Sequence, residues 1–205
     1  MTRPAPYVVL LAAGASSRFG GDKLLAPFRG SPLVAHVAAT LADAILSGLL
    51  GGGVAVIPPR STTLPWVLEP AGLQIVENPD AGSGLASSLR LGLAALARAE
   101  PHAEAALLVL ADQPLLASDT IARLVARWRE TQSSVRPRYA SRRSEPGHPV
   151  LLDRSAWHLV ESLSGDTGLG PVFDASPGLI ESLDVSGSNP DVDTPADLHS
   201  VEDSR

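Results

Sequence analysis

The length of 205 residues allows one sizeable hydrophobic core, and a composition of 44% hydrophobic and 19% charged residues is typical of a compact globular domain. The net charge of −6 excludes a basic surface that attracts nucleic acid, and the lack of cysteine excludes disulfides, thiolate catalysis and cysteine-ligated metals. The apolar run at 7–11 is too short to span a membrane and lacks a signal-peptide layout, so we expect a cytoplasmic protein with no membrane or nucleic-acid partner.

Short apolar runs alternate along the chain with longer amphipathic segments. Ser31 before Pro32 and Ser118 before Asp119 are predicted helix starts. The polar, arginine-rich segment 131–147 is predicted to form a strand and turn at the mouth of a site. Strands are predicted at 7–12, 53–57, 73–76, 106–111, 149–152 and 179–185, and helices at 32–46, 86–98, 119–129, 154–163 and 195–201.

This alternation predicts an α/β fold of the Rossmann-like kind. Residues 1–205 are expected to form a single domain, a three-layer αβα sandwich around a mostly parallel sheet. Ligands of such sheets bind beyond the carboxyl ends of the strands. The loops after residues 12, 76 and 111 are therefore the expected places for chemistry.

The loop after the first strand, residues 11–23, reads LAAGASSRFGGDK. Its small residues let a ligand approach the backbone of this surface loop closely, and Arg18 and Lys23 can neutralise phosphates. Lys23 is the single lysine among 16 basic residues, which predicts a role that arginine cannot fill. The glycine patterns of dinucleotide-binding loops and P-loops do not match, because Ser16 and Phe19 stand where glycine is required.

This loop resembles the signature L-x-x-G-x-S-x-R-x-G-x-x-K of nucleotidyltransferases with a GT-A-like fold, and within them the MobA-like NTP transferases. The resemblance implies that the backbone of residues 11–14 binds the nucleotide, with Leu11, Ala12, Ala13 and Gly14 as the nucleotide-binding residues. It also implies that Arg18 and Lys23 hold the triphosphate as catalytic residues. The match holds at Leu11, Gly14, Ser16, Arg18, Gly20 and Lys23.

The residues at 11–14 of this loop indicate which nucleotide base the protein prefers. In the family, guanylyltransferases tend to read L-A-G-G and cytidylyltransferases A-A-G, whereas this chain reads L-A-A-G at 11–14. The resemblance therefore implies CTP in preference to GTP, as in molybdenum cofactor cytidylyltransferases. The methyl group of Ala13 limits how closely a base approaches, an effect of about 1–3 kcal/mol.

Two acidic motifs point to a metal site. Asp112, in ADQP after an apolar run, can hold Mg²⁺ at the end of a strand or merely cap a turn. It resembles the catalytic metal ligand of the family, and DVDTPADL at 191–198 resembles a family ending that implies Asp193 as the second ligand. Locally, Asp193 or Thr194 could instead cap the helix that Pro195 opens. The expected cofactor is Mg²⁺, with Mn²⁺ as the alternative.

Three further segments complete the resemblance, which extends from residue 7 to residue 198. Gly84, Ser87 and Ser88 resemble an element beside base and ribose and are implied to bind nucleotide, although the serines could equally cap a helix. His148 in GHPV and Asp166 in GDTG resemble acceptor-side elements and are implied to bind the acceptor. A lone histidine such as His148 could instead be structural, and Asp166 could orient the metal instead of the acceptor.

The resemblance implies a nucleotide-binding part at 7–116 and an acceptor side, with the second metal ligand, at 117–200. The implied reaction is attack of an acceptor phosphate on the α-phosphorus of CTP, with pyrophosphate leaving. The acceptor is a small phosphorylated molecule such as molybdopterin, and a molybdoenzyme or its chaperone is a candidate protein partner.

Other activities stay open. A guanylyltransferase or a sugar-phosphate nucleotidyltransferase would use the same fold. A non-catalytic nucleotide-binding module that delivers a cofactor is a rival from another class. A dinucleotide-dependent oxidoreductase is disfavoured because the glycine fingerprint is missing.

Overall fold

The computed structural model describes residues 4–14, 16, 18–142 and 147–203. In chain order, the elements are β1 (Tyr7–Leu11), β2 (Pro27–Phe28), β3 (Ser31–Pro32), α1 (Leu33–Leu46), β4 (Gly53–Ile57), α2 (Leu64–Leu68), β5 (Gln74–Glu77), α3 (Leu85–Ala99), β6 (Ala105–Leu110), α4 (Ser118–Thr131), β7 (Ser134–Tyr139), β8 (Val150–Asp153), α5 (Gly170–Ala175), β9 (Ile180–Val185) and α6 (Pro195–Asp203). Six 3₁₀ segments lie between them, at Lys23–Leu25, Glu69–Ala71, Ala81–Ser83, Ala140–Arg142, Arg154–Ser162 and Pro177–Leu179.

Seven of the strands in this part of the chain form one sheet in the order β5-β4-β1-β6-β8-β7-β9. The neighbours from β5 to β6 are parallel, β8 is antiparallel to both β6 and β7, and β9 is parallel to β7. The prediction of a mostly parallel sheet is confirmed. Strands β2 and β3 form a separate antiparallel pair.

Helices cover both faces of the sheet. Val8 and Leu10 of β1 belong to an apolar cluster with α1, α2, α4 and α6, while Val9 and Leu11 belong to a second cluster with α3, α5 and the 3₁₀ segment Arg154–Ser162. This alternation follows from the two-residue period of a strand, and it confirms the three-layer sandwich. No helix in the described ranges combines the length and apolar character needed to cross a membrane.

The ends of several helices differ from the predictions. α4 begins at Ser118 with Ala117 at its N-cap position, and α1 begins at Leu33 with Pro32 at its N-cap position, so neither Ser118 nor Ser31 occupies the N-cap position of its helix. The predicted helix at 154–163 is a 3₁₀ segment. The arginine-rich segment contains β7, as predicted, while Arg143 lies outside the described residues.

Candidate active site

A cavity of about 220 Å³, hereafter the first cavity, lies where β1 and β6 end at the same edge of the sheet. The first loop lines one side, the start of α3 another, and Asp112 follows the end of β6. Parallel neighbours bring these distant segments together because their carboxyl ends meet at one edge. Of the predicted site residues, it is lined by Leu11, Ala12, Ala13, Gly14, Lys23, Gly84, Ser88, Asp112 and Asp166.

Lys23 links Asp112, which lines this cavity, to Asp193, which does not line it. Its Nζ lies 2.6 Å from Oδ2 of Asp112 and 3.0 Å from Oδ1 of Asp193, and its side chain is only 9% exposed. The other oxygen of Asp193, Oδ2, lies 2.8 Å from Nη2 of Arg18, whose side chain is 72% exposed. The structure therefore unites the two predicted phosphate-binding cations with the two predicted metal ligands.

The charges in this cluster depend on one another. Burial alone lowers the pKa of Lys23, but Asp112 and Asp193 outweigh it, so the pKa is raised and the ammonium stays charged. Burial raises the pKa of Asp112, an effect that Lys23 opposes and Asp191 adds to. The expectation that Lys23 lies on a surface loop is wrong, since it is buried in a 3₁₀ turn against its two partners.

The donor set fits a divalent cation. Oδ1 of Asp112 is buried and has no hydrogen-bond partner in the described part of the chain, a costly arrangement for a carboxylate oxygen. No group of three or more acidic, histidine or cysteine side chains in that part could form a metal cage. Mg²⁺ is commonly held by one or two carboxylates together with phosphates and water, so Asp112 and Asp193 are suitable ligands for Mg²⁺ or Mn²⁺.

The segment that carries Asp193 is held in place by a capping box at the start of α6. Oδ2 of Asp197 accepts hydrogen bonds from the backbone N–H of Thr194 at 2.8 Å and of Asp193 at 3.1 Å. The N–H of Asp197 in turn donates to Oγ1 of Thr194 at 3.2 Å. The Thr194 hydroxyl lowers the pKa of Asp197. Because Thr194 serves as the cap, the carboxylate of Asp193 is left for Lys23 and Arg18.

A second cavity of about 80 Å³ adjoins the first and shares the side chains of Leu11, Leu85 and Leu110 with it. His148 lines this second cavity, and burial lowers its pKa to about 4 despite the nearby charge of Asp112. His148 is therefore neutral at pH 7, where it can donate a hydrogen bond to an acceptor but cannot bind it as a cation.

The two residues predicted for the acceptor lie in different cavities. Asp166 lines the first cavity, because the turn that carries it packs against the start of α3. There the backbone N–H of Ala86 donates to the carbonyl of Gly165 at 3.0 Å.

Comparison with known proteins assigns the family. Residues 8–179 match the model of the MobA-like NTP transferase domain. The chain belongs to this family. It is 36% identical over 202 residues, 93% of each chain, to a protein of Paenarthrobacter nicotinovorans named nicotine blue oxidoreductase. It is also 36% identical over 149 residues, 71% of this chain and 68% of the other, to a probable molybdenum cofactor guanylyltransferase of Deinococcus radiodurans.

Solved structures share the fold of this MobA-like domain. The crystal structure of Rv0371c from Mycobacterium tuberculosis H37Rv has a TM-score of 0.78 and 26% identity, with 98% of this chain and 100% of the other covered. A manganese complex of that protein has a TM-score of 0.77 and 25% identity, with the same coverage. A 4-diphosphocytidyl-2C-methyl-D-erythritol synthase has a TM-score of 0.72 at 17% identity, with 98% of each chain covered. The chain is a nucleotidyltransferase of the MobA-like family.

The serines of the MobA-like domain take different roles. α3 begins at Leu85 with Gly84 at its N-cap position, so the alternative in which a serine caps this helix is wrong. Oγ of Ser87 is engaged locally with the carbonyls of Gly84 and Asp80, at 2.9 and 3.0 Å. Ser88 is 5% exposed, lines the first cavity and accepts a hydrogen bond from Asn78 at 3.0 Å.

Several residues of the site were not predicted from the sequence. Asn78 orders the serines of α3, and its position two residues after a predicted strand could have indicated this role. Asn189 donates to Oε1 of Gln113 at 3.0 Å, and Gln113 donates to Oδ1 of Asp191 at 2.7 Å. This chain of amides connects the Asp112 loop to the Asp193 loop. Arg136, which lines the second cavity, gave no signal beyond its position in a basic segment.

Proposed function

We propose that this protein transfers the CMP unit of CTP to the phosphate of an acceptor such as molybdopterin and releases pyrophosphate. The observation that carries the proposal is the cluster of Lys23, Asp112 and Asp193 at the cavity formed by the nucleotide-type loop. The relative named as a molybdenum cofactor guanylyltransferase supports the acceptor class, and the manganese complex of the mycobacterial protein supports a divalent metal.

The reaction requires little covalent work from the chain. An acceptor phosphate oxygen forms a bond to the α-phosphorus, the bond from that phosphorus to the bridging oxygen breaks, and its electron pair leaves with pyrophosphate. Lys23 and Arg18 stabilise the charge on pyrophosphate. A divalent ion held by Asp112 and Asp193 neutralises phosphate oxygens when bound. No general base is needed, because a phosphate monoester is largely ionised at pH 7.

The proposed division of labour follows the chain. Residues 7–116 supply the nucleotide loop and Asp112, and residues 117–200 supply His148 and Asp193. The ion pair between Lys23 and Asp193 joins the two parts, because Asp193 lies 170 residues further along the chain.

The choice of CTP over GTP is supported by Ala13, which is 4% exposed and lines the first cavity. A methyl group at this point narrows the space next to the backbone, which favours the smaller pyrimidine. Use of GTP is the alternative, which the Deinococcus relative favours by its name.

The test is turnover with defined substrates. Pyrophosphate release is measured with CTP, GTP, ATP and UTP, with reduced molybdopterin as the acceptor, and mass spectrometry identifies the product. Asp112→Asn should lower kcat by at least about 100-fold with the fold intact, because it weakens charge stabilisation in the transition state. Asp43→Asn is the control, because Asp43 is an exposed aspartate on α1 that lines neither cavity. Near-normal turnover of Asp112→Asn would contradict the assignment.

A redox activity is the second candidate function. The relative named nicotine blue oxidoreductase is 36% identical to this chain in an alignment that includes 93% of it. The sequence lacks the glycine fingerprint of dinucleotide-binding loops, which argues against a redox activity. The carboxylate–lysine cluster is better suited to phosphate and metal binding. Titration with NADH and NADPH, followed by protein fluorescence, separates the two. Saturable binding of a reduced dinucleotide without pyrophosphate release from any NTP would favour the redox activity. A protein that binds an NTP, but neither turns it over nor binds a dinucleotide, would be a delivery module.

A further inference from the structure

Arg136 is a nearly buried cation at the second cavity. It lies on β7, where its neighbour Val135 packs into the cluster on the α4 side and is fully buried. Because side chains alternate along a strand, Arg136 points to the opposite face, toward α5 and the second cavity. Its side chain is only 16% exposed.

The partners of Arg136 hold its guanidinium weakly. Nε lies 3.4 Å from Oγ of Ser182, and Nη2 lies 3.5 Å from Oδ1 of Asp174, both at the outer limit for a hydrogen bond. Asp174 is itself 66% exposed. Of the five guanidinium N–H groups, the remaining three have no partner within the described ranges. Its one ion pair is long and has an exposed partner, so the guanidinium keeps donors available for an anionic ligand in the cavity.

The walls of the second cavity are mostly apolar. Leucines from α3 and β6, together with Val150 and Phe173, form most of its lining. Arg136 and His148 are the two polar side chains among the described residues that line it. Since His148 is neutral at pH 7, Arg136 supplies the single charge among the described residues that line the cavity.

The cavity lies next to the reaction centre. Leu110, a shared wall of both cavities, precedes Asp112 by two residues at the end of β6. An anion bound at Arg136 would therefore lie beside the carboxylates that face the triphosphate. In the proposed reaction, an acceptor oxygen would approach the α-phosphorus from this side.

We propose that Arg136 binds the phosphate of the acceptor, with His148 as an additional hydrogen-bond donor, and that the second cavity receives the apolar group next to that phosphate. The guanidinium fork matches phosphate oxygens in pairs, and such charge-assisted contacts are strong. Hydroxyl groups of a sugar would lose their water without gaining partners on the leucine walls. The preferred acceptors are therefore phosphate monoesters of apolar or aromatic groups. That the ligand is the acceptor rests on the proposed function, whereas the anion site itself does not.

The first experiment measures ligand binding without turnover. Phenyl phosphate and glucose 1-phosphate are titrated by calorimetry into the parent protein and into four variants, Arg136→Gln, Arg136→Lys, Arg138→Gln and Arg18→Gln. Arg138 is the matched control, because it lies two residues along β7, pairs with Asp184 and does not line the cavity. Circular dichroism and thermal unfolding check that each variant is folded.

We expect Arg136→Gln to bind phenyl phosphate about 10-fold more weakly, since it loses a charge-assisted contact. Arg136→Lys should recover part of this affinity, and Arg138→Gln should bind as the parent does. Glucose 1-phosphate should bind the parent more weakly than phenyl phosphate. The proposal is overturned if the parent does not bind phenyl phosphate, if Arg136→Gln binds it equally well, or if the loss appears in Arg18→Gln instead. Equal binding of the sugar ester would overturn the predicted ligand class.

The second experiment tests the link to the reaction. With CTP and reduced molybdopterin, Arg136→Gln should raise the KM for the acceptor about 10-fold and change the KM for CTP less than about twofold. An equal rise in both KM values would indicate a structural role and overturn the proposal. If the parent releases no pyrophosphate from any NTP but loses phenyl phosphate binding on Arg136→Gln, the proposed function fails and the anion site stands.

Discussion

Lys23 neutralises two carboxylates with one compact ammonium, at 2.6 and 3.0 Å. Arginine keeps the charge, but its wide planar fork does not occupy the same space. We expect Lys23→Arg to lower kcat/KM for CTP by at least about 10-fold, or 1.4 kcal/mol of transition-state stabilisation. Steady-state kinetics with circular dichroism as the folding control measures this effect. Unchanged kinetics would mean that the rarity of lysine in this chain has no functional meaning.

Removal of the Lys23 charge should also affect folding, because the residue is buried against Asp112 and Asp193. Lys23→Met leaves two partly buried carboxylates facing each other, and we expect the free energy of unfolding to fall by about 2 kcal/mol. Urea unfolding measures the loss. Addition of Mg²⁺ should restore more stability to Lys23→Met than it adds to the parent, because the ion then replaces the missing charge.

Ala13 offers a test of base selection. If its methyl group limits the space for a purine, Ala13→Gly should raise the use of GTP relative to CTP by about 10-fold. The ratio of the two kcat/KM values is the correct measure, because Ala13 also packs into the cluster around α3 and its truncation will cost some stability. An unchanged ratio would move base selection elsewhere, with the loop around Gly82 as the next candidate.

His148 should give the protein a pH-dependent stability. Its pKa is about 4 in the folded protein and near 6.5 in an unfolded chain, so the unfolded state takes up the proton first as the pH falls. The free energy of unfolding should therefore decrease between pH 6.5 and pH 4, by up to about 3 kcal/mol, and show no further loss from this group below pH 4. Urea titrations across this range test the effect, and His148→Asn should flatten the profile.

At the scale of elements, the start of α3 depends on Gly84. Its φ is +94°, and a Cβ there would lie 2.4 Å from the backbone carbon of Gly165. We expect Gly84→Ala to lower the free energy of unfolding by about 2 kcal/mol or more, since both the backbone conformation and the contact are unfavourable. Gly82→Ala is the matched control, because a Cβ at Gly82 has no neighbour within 4 Å. Equal thermal unfolding of the two variants would contradict this explanation.

The sequence was informative for elements whose periodicity is long enough to read. The core strands and α1, α3 and α4 were predicted within a residue or two of their bounds. α2 and α5, with 5 and 6 residues, are too short to show a helical period and were not predicted. β7 reads as polar because two arginines alternate with its buried residues. The start of α3 was misread because a glycine, and not a serine, occupies its N-cap position.

The candidate site was predictable as a set of residues but not as an arrangement. Motif positions marked Lys23, Asp112 and Asp193, yet the ion pairs between them join segments 89 and 170 residues apart. Such contacts arise from strand order, which local patterns do not contain. The neutral state of His148 likewise follows from tertiary burial.

For the whole molecule, a net charge of −6 opposes the binding of a polyanion. Arg18 and Lys23 are paired with Asp193 and Asp112, and a divalent ion bound to these carboxylates would release both cations for the triphosphate. We expect turnover to require Mg²⁺ or Mn²⁺ and to stop in excess EDTA, with recovery when the metal is restored. Equal activity in EDTA would exclude the metal role of Asp112 and Asp193.

Leu110 forms part of the wall between the two cavities, on the strand that ends just before Asp112. The two proposed substrates therefore bind on either side of the same residue, which belongs to the central strand of a packed sheet. Motion elsewhere in the chain can then change how fast substrates enter and leave without altering how far apart the reacting atoms stand. In evolutionary terms, the acceptor side can diversify toward new substrates while the geometry of the transfer step is inherited unchanged.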